Sequence, residues 1–478
     1  MQLQLVFRSA AFCLVLSAGI LVVAEPARSA DRPRQDRRPN LLFLLTDDQR
    51  ADAVHALGNP VLQTPNLDRL ARSGLVLTNA YCMGSDMSAV CFPSRSMLLS
   101  GLSLFHLKHK KGGYAVPYEI NWPKTFRQAG YETYHHGKRQ NGPTGIYHDF
   151  EHEKFLVDDT AERLSGRPGK EIADAAVTFL KTHDRSRPFF AYLAFGNPHD
   201  PRVVIPEYRN RYQESSIPLP ANYLPLHPFD NGWMSGRDER LAPWPRTPAE
   251  IRKHLTDYYG VITYLDEQIG RILRTLEETG DSANTIIIFS SDHGLALGSH
   301  GLMGKQNLYE HSMKVPLIFS GPRIRKGKSA ALVYLYDLFP TVCDLVGIPS
   351  PSPIDGHSFA HVLTGKSDTA RDAIFLAFMD FQRAVRQGDW KLIRYPQVNV
   401  TQLFNLRDDP AEIHNLCDAH PEKVRELWKL LEERQKANGD TLPLTVKTPK
   451  ERAITPQQLR DQGRQVQTGP NARTTAQR

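Results

Sequence analysis

Residues 39–50 read PNLLFLLTDDQR, an unbroken apolar run that ends directly in two aspartates. A strand with one wet face alternates apolar and polar residues; this one is apolar throughout, so both its faces must be covered. Strands of that kind belong to mostly parallel sheets with helices on both sides, and such sheets bind ligands beyond the carboxyl ends of their strands. The stretch predicts a strand over 39–46 in an α/β fold and puts Asp47 and Asp48 where a ligand would sit.

The pattern recurs along the chain. PFFAYLAF (188–195) and NTIIIFSS (284–291) are further buried strands, and both run into polar groups. Asn197-Pro198-His199-Asp200 follows the first, Asp292-His293-Gly294 follows the second, and Lys138 comes shortly after the lesser run GYETY. TPNLDRLARSG (64–74) predicts a helix with Thr64 as cap, Pro65 in the first turn and Gly74 as stop. A second helix is expected from about 251 to 278, with Tyr258, Ile262, Leu265, Ile269 and Leu273 along one face. The Pro-rich stretch 217–247 ahead of it is long for a loop, and loops of that length are functional or disordered. After Arg371 short amphipathic strands take over (AIFLAF, RAVRQGDWKLIRY, QLFNL), then a helix over about 421–436. The expected architecture is a large mixed, mostly parallel sheet flanked by helices over 38–370, with a small C-terminal antiparallel sheet plus helix over 371–446.

The ends of the chain bear on compartment. Arg8 and the apolar run from Ala10 to Ala24 form a signal peptide over 1–24, with cleavage possible up to 29. An exported protein follows, periplasmic or secreted, without stable membrane insertion once the signal is cleaved; a retained anchor is the alternative. Cys82, Cys91, Cys343 and Cys417 are too few for a disulfide framework in a chain this size. Of the net charge of +7, most lies between Lys447 and Arg478, a stretch expected to be a disordered basic tail. The body is nearly neutral, which argues against a nucleic-acid surface.

Three carboxylates and an imidazole, Asp47, Asp48, Asp292 and His293, suit a hard divalent cation such as calcium or magnesium, and lack the thiolates or histidines of structural zinc. SAVCFPSRSMLLSG (88–101) belongs beside them. Pro93 fits the first turn of a helix, so Cys91 is expected just before a helix N-terminus, a place for a nucleophile and an anion.

These residues carry a resemblance. From about Asn40 to the end of the C-terminal subdomain, the chain resembles the formylglycine-dependent sulfatases of the alkaline phosphatase superfamily. Cys91 to Gly101 matches the family pattern C-x-P-S-R-x-x-x-L-x-G. TDDQR (46–50), GK (137–138), NPHDPR (197–202) and SDHGLALGSHGLMGKQNLYEH (291–311) occur in the family's order. The resemblance implies that a formylglycine-generating maturation enzyme oxidises Cys91 to formylglycine, whose hydrate is the nucleophile. It implies a metal, calcium or else magnesium, held by Asp47, Asp48, Asp292, His293 and an oxygen of the modified residue 91. Arg95 would hold the hydrate, and Lys138, Lys305 and His199 would surround the sulfate. His199 or Lys305 would protonate the leaving oxygen, with His199 preferred.

One position departs from the family. Many members read G-K-x-H, whereas this chain has Gln140, which can hydrogen-bond substrate but cannot act as a base. His135 or His136 could replace it, and either could equally be a core residue. Asp200 and Arg202, the basic cluster His106/Lys108/His109/Lys110/Lys111 and the pair Asp380/Arg383 are candidates to line a pocket for a sulfated carbohydrate. The alternatives are a phosphonate or phosphate ester hydrolase of the same superfamily and a non-catalytic sulfated-glycan-binding protein.

Overall fold

The computed structural model describes residues 38–107, 109–110, 114–115 and 118–468. The expected signal peptide and the last ten residues lie outside them, as do the side chains of Lys108 to Lys111 in the basic cluster. Among the described residues the large sheet has nine strands. They are β1 (Asn40–Thr46), β2 (Leu75–Tyr81), β3 (Glu132–Gly137), β4 (His152–Phe155), β5 (Phe189–Ala194), β6 (Thr285–Ser291), β7 (Lys314–Val315), β8 (Leu317–Ser320) and β9 (Gly327–Tyr334). Their order is β7-β2-β8-β6-β1-β5-β3-β4, with β9 also on β2. From β6 to β4 every pairing is parallel, and β8 is antiparallel to both β6 and β2.

β1 is central, in register with β5 (Leu42 beside Ala191) and β6 (Leu42 beside Ile287). All seven of its residues are buried. Leu42 and Leu44 meet α1 (Pro65–Ser73), α3 (Lys170–Thr182) and α4 (Pro248–Glu278) through Leu67, Ile172, Ile269 and Leu273. Leu41, Phe43 and Leu45 face the opposite core, which includes Trp122, Phe190 and α2 (Cys91–Ser100) through Met97 and Leu98. At a site so enclosed, Leu44→Ala would cost about 2–5 kcal/mol.

The N-terminus of α1 differs from expectation. Thr64 does not cap α1; its hydroxyl donates to Asp68 instead. The open amides of Asn66 and Leu67 are taken by the carboxylate of Asp266, across on α4, at 3.1 and 2.8 Å. Gly74 ends α1 as expected; its backbone is extended, and a Cβ there would lie 1.9 Å from the carbonyl oxygen of Phe319.

β10 (Ala373–Phe378), β11 (Gln382–Gln387), β12 (Trp390–Tyr395) and β13 (Val400–Asn405) form the smaller antiparallel sheet, extended by the short strand Gly84–Ser85. It is covered by α5 (Pro421–Ala437), whose Leu427 and Leu431 are fully buried in the same core as Leu41 and Phe43. The expectation of a disordered tail from Lys447 is corrected for its first part. Helix α6 (Pro456–Thr468) follows, Leu459 is fully buried, and Arg460 donates to the carbonyl of Trp244. One leucine at the right phase supplies enough apolar contact to dock a stretch that composition reads as solvated. Among the described residues no helix is long and apolar enough to cross a membrane, and the four cysteines are free thiols.

Candidate active site

Four parallel strands deliver their C-terminal residues to one place. Asp47 and Asp48 leave β1, Lys138 leaves β3, His199 follows β5, and Asp292 and His293 leave β6. Lys138 can reach the centre because β3 ends in Gly137, where a Cβ would stand 2.1 Å from the carbonyl oxygen of Ala194. Cys91 is the first residue of α2 rather than the residue before it, and its side chain is buried among these groups.

The Cys91 thiol lies 3.4 Å from Asp47 Oδ1, 3.2 Å from His293 Nε2 and 3.5 Å from Lys305 Nζ. Burial, reinforced by Asp47, pushes it well above its usual pKa. As a thiol this side chain is protonated and a poor nucleophile.

Arg95, one turn along α2, is fully buried and bridges two strands. Its Nε donates to Asp292 Oδ2 at 2.9 Å and its NH2 to Asp47 Oδ2 at 2.8 Å. The same Asp47 oxygen receives Lys138 Nζ in a very short contact. Burial alone would favour the neutral acid, but Lys138 and Arg95 outweigh it and hold Asp47 well below the usual carboxylate range.

Asp48 has a left-handed backbone (φ 67°), a conformation that costs a non-glycine residue about 1 kcal/mol or more unless the surroundings impose it. Here they do. Its amide meets Asp292 Oδ1 at 3.3 Å, its carbonyl accepts from Tyr258 Oη at 2.8 Å, and its Oδ1 accepts from Lys305 Nζ at 2.7 Å. Asp48 Oδ2 is buried with no hydrogen-bond partner. Ligand atoms of Asp47, Asp48, Cys91 and His293 lie within 4.8 Å of one another. Asp292 is adjacent, but its carboxylate is engaged by Arg95 and by the amides of Asp48 and His293. An orphaned buried carboxylate oxygen in a compact set with a second aspartate, and a third alongside, fits a hard divalent cation.

His199 hydrogen-bonds the carbonyl of Asp200 through Nδ1 at 2.6 Å, which fixes the proton there and turns Nε2 toward Asp48 Oδ2, 3.9 Å away. Burial and then Lys305 lower its pKa. Lys305 itself, despite burial, is held well above its usual value by Asp48.

The expected substrate contacts fare differently. Asp200 forms an ion pair with Arg237, while Arg202 is spent on the carbonyl of Pro198 and the face of Tyr258. Gln140 is exposed, and its backbone N–H donates to Asp159 Oδ2 at 2.6 Å. His135 is a core residue, stacked on Tyr147 and Tyr192 and pushed down to about 3 by burial. His136 is pushed down to about 4 by burial and faces Glu171 at 3.8 Å. The imidazole beside Cys91 is that of His293. Arg383 is paired with Asp440, Asp380 accepts from Gln397, and His106 pairs with Asp355.

Residues 217–247 hold what sequence reasoning missed. Arg237 grips Asp200, and Asp238 accepts from Gln306 Nε2 at 2.9 Å and stands 3.9 Å from Lys305. Glu239 accepts from the amides of Met303 and Gly304 at 2.9 and 2.8 Å and from the buried Arg246 at 2.8 Å. The long loop therefore clasps the segment that carries Lys305. Its length was the one signal of this in the sequence.

A site of this form on a sheet of this order defines a class. The chain matches the family model described as Sulfatase over residues 39–348, and that described as N-sulphoglucosamine sulphohydrolase, C-terminal, over residues 298–438. The chain belongs to the formylglycine-dependent sulfatase family of the alkaline phosphatase superfamily and is a sulfuric ester hydrolase. It is 27% identical to N-acetylglucosamine-6-O-sulfatase of Bacteroides thetaiotaomicron, over 86% of this chain and 88% of that one. It is similar, with a TM-score of 0.73 and 26% identity, to a protein solved in complex with its substrate D-glucosamine-2-N,6-O-disulfate, covering 85% of this chain and 99% of the other. The phosphonate monoester hydrolase of Agrobacterium radiobacter shares the fold, with a TM-score of 0.69 and 23% identity over 84% and 96% of the two chains.

Proposed function

We propose that this chain is an exported sulfatase acting on a sulfated carbohydrate, with Cys91 matured to formylglycine by a separate enzyme and a divalent cation, calcium first, in the adjoining carboxylate cluster. The observation that carries the reading is the position of Cys91 at the start of α2, within 3.5 Å of Asp47, His293 and Lys305. Asp47, Asp48, Asp292, His293 and residue 91 would hold the cation. A formylglycine hydrate supplies a hydroxyl nucleophile and a second hydroxyl for release of sulfate, and the cation supplies positive charge for the sulfate oxygens.

The remaining work falls to the chain's own side chains. Lys138 and Lys305, both protonated, attract the sulfate and favour the charge that spreads over its oxygens as the ester bond breaks. Arg95 holds Asp47 and Asp292 in fixed relation. His199, oriented by the Asp200 carbonyl, gives a proton from Nε2 to the leaving sugar oxygen. Arg237, half-exposed and paired with Asp200, would present its guanidinium to sugar hydroxyls, with Asp200 accepting through its remaining lone pairs; Arg202 and Gln140 are outer candidates. Support for an aminosugar sulfate as substrate comes from the relatives, one named N-acetylglucosamine-6-O-sulfatase and one solved with a glucosamine disulfate.

The test is turnover by the matured protein on aryl sulfate, sulfated hexosamines and a phosphonate monoester. Faster hydrolysis of sulfates is expected. A large preference for the phosphonate would replace this reading with that of a phosphonate or phosphate ester hydrolase, to which the shared fold of the Agrobacterium enzyme lends weight.

A further inference from the structure

The three backbone amides that follow Asp47 are each taken by a side chain from a distant part of the sequence. Asp48 N–H meets Asp292 Oδ1 at 3.3 Å, Gln49 N–H donates to Ser291 Oγ at 2.9 Å, and Arg50 N–H donates to Tyr258 Oη at 2.9 Å. Ser291 Oγ donates in turn to the carbonyl of His293 at 2.9 Å. The turn that carries Asp48 is therefore shaped by tertiary contacts, two from the end of β6 and one from the middle of α4.

The hydroxyl from α4 is used twice. It accepts from Arg50 N–H and donates to the carbonyl of Asp48 at 2.8 Å, so one phenol closes the turn on both sides of Gln49. Tyr258 is fully buried, and burial raises its pKa above the ordinary 10, so the donated proton stays on the ring oxygen. Its bond is the shorter of the two made to the peptide groups of Asp48, whose left-handed backbone (φ 67°) needs such restraint. The ring has a separate task. The Arg202 guanidinium lies 5.6 Å from its centre, while Arg202 Nε donates to the carbonyl of Pro198, beside His199.

We propose that Tyr258 is a positioning residue for cation binding: through its two backbone bonds its hydroxyl pre-forms the turn in which Asp48 offers Oδ2, and so sets the affinity for the cation. The proposal rests on the cation reading given above and adds to it the residue that orders the ligand. A competent turn populated one-tenth as often would raise the apparent Kd about tenfold.

Isothermal titration of the matured full chain with calcium, together with melting temperatures in its absence, tests this on Tyr258→Phe, which keeps the ring beneath Arg202. Tyr259→Phe, the neighbour on the same helix, is the control, because its hydroxyl is spent on Asn59 Nδ2, from which it accepts at 3.3 Å. Tyr258→Phe is expected to bind calcium about tenfold more weakly and Tyr259→Phe as the parent does, while the two lose similar, small amounts of calcium-free stability. At saturating calcium, aryl sulfate turnover by Tyr258→Phe should return to the parent kcat, since the bound ion then imposes the turn. An unchanged calcium Kd in Tyr258→Phe, an equal loss of affinity in both variants, or a kcat that stays depressed at saturating calcium would overturn the proposal and leave the cation reading standing. A parent protein that binds neither calcium nor magnesium would overturn the cation reading itself, and this proposal with it.

Discussion

Lys305 Nζ donates to Asp48 Oδ1 at 2.7 Å, while the other oxygen of the same carboxylate is buried without a partner. One aspartate thus serves a fixed ammonium on one side and leaves a binding position on the other. Calcium at a hundred times its Kd should raise the unfolding free energy by about 2.7 kcal/mol, read as an upward shift in melting temperature. In Asp48→Asn, which loses the charge, most of that shift should vanish. An equal shift in the two proteins would place the cation elsewhere.

Arg95 makes the second prediction. Its guanidinium is fully buried between Asp47 and Asp292. Arg95→Ala removes the cation that both carboxylates share, and breaking a buried pair from one side costs about 3–5 kcal/mol. Urea denaturation should show that loss. Arg95→Lys should recover little, because an ammonium cannot reproduce a fork directed at two carboxylates.

The clasp around Lys305 is open to a similar test. Glu239→Ala would strand the amides of Met303 and Gly304 and the Arg246 guanidinium, each at a cost of about 1–3 kcal/mol. Turnover of aryl sulfate should fall with stability, since Lys305 is the next residue along. Glu239→Gln keeps an acceptor and should lie between. Parent turnover in Glu239→Ala would show that the loop does not position the lysine.

Proton donation by His199 sets a pH dependence. The donor works only while protonated, and burial together with Lys305 keeps its pKa below the ordinary 6.5. For a sugar sulfate, kcat/KM should therefore decline as pH rises through that lowered value, giving an acidic optimum. His199→Ala should cost about 10²–10⁴-fold on a sugar sulfate and much less on a nitrophenyl sulfate, whose leaving group needs no proton. Equal losses on both substrates would move the proton to Lys305, whose raised pKa would carry activity to alkaline pH.

What could be read from the sequence follows the physics of each element. β1, β5 and β6 are continuous apolar runs, and α4 has an apolar face at helical spacing, so local pattern was enough. β7 and Gly84–Ser85 are two residues long and form because distant strands offer an edge, which no local pattern encodes. The cap of α1 comes from Asp266, 199 residues beyond Leu67. The same division runs through the site. Cys91, Arg95, the paired aspartates and Asp292-His293 sit at strand ends or a helix start and were legible there. Arg237, Asp238 and Glu239 lie in a loop with no periodicity and enter the site through tertiary contacts alone.

The central claim is that Cys91 acts as formylglycine. Its thiol, buried beside Asp47 and raised well above its usual pKa, is ill suited to attack as it stands. Co-expression with a formylglycine-generating enzyme, followed by mass spectrometry of the peptide containing residue 91 alongside a sulfatase assay, tests this most directly. The account predicts an aldehyde at position 91 in proportion to activity, and a folded but inactive Cys91→Ala. Full activity with an unmodified thiol, or retained turnover in Cys91→Ala, would contradict it.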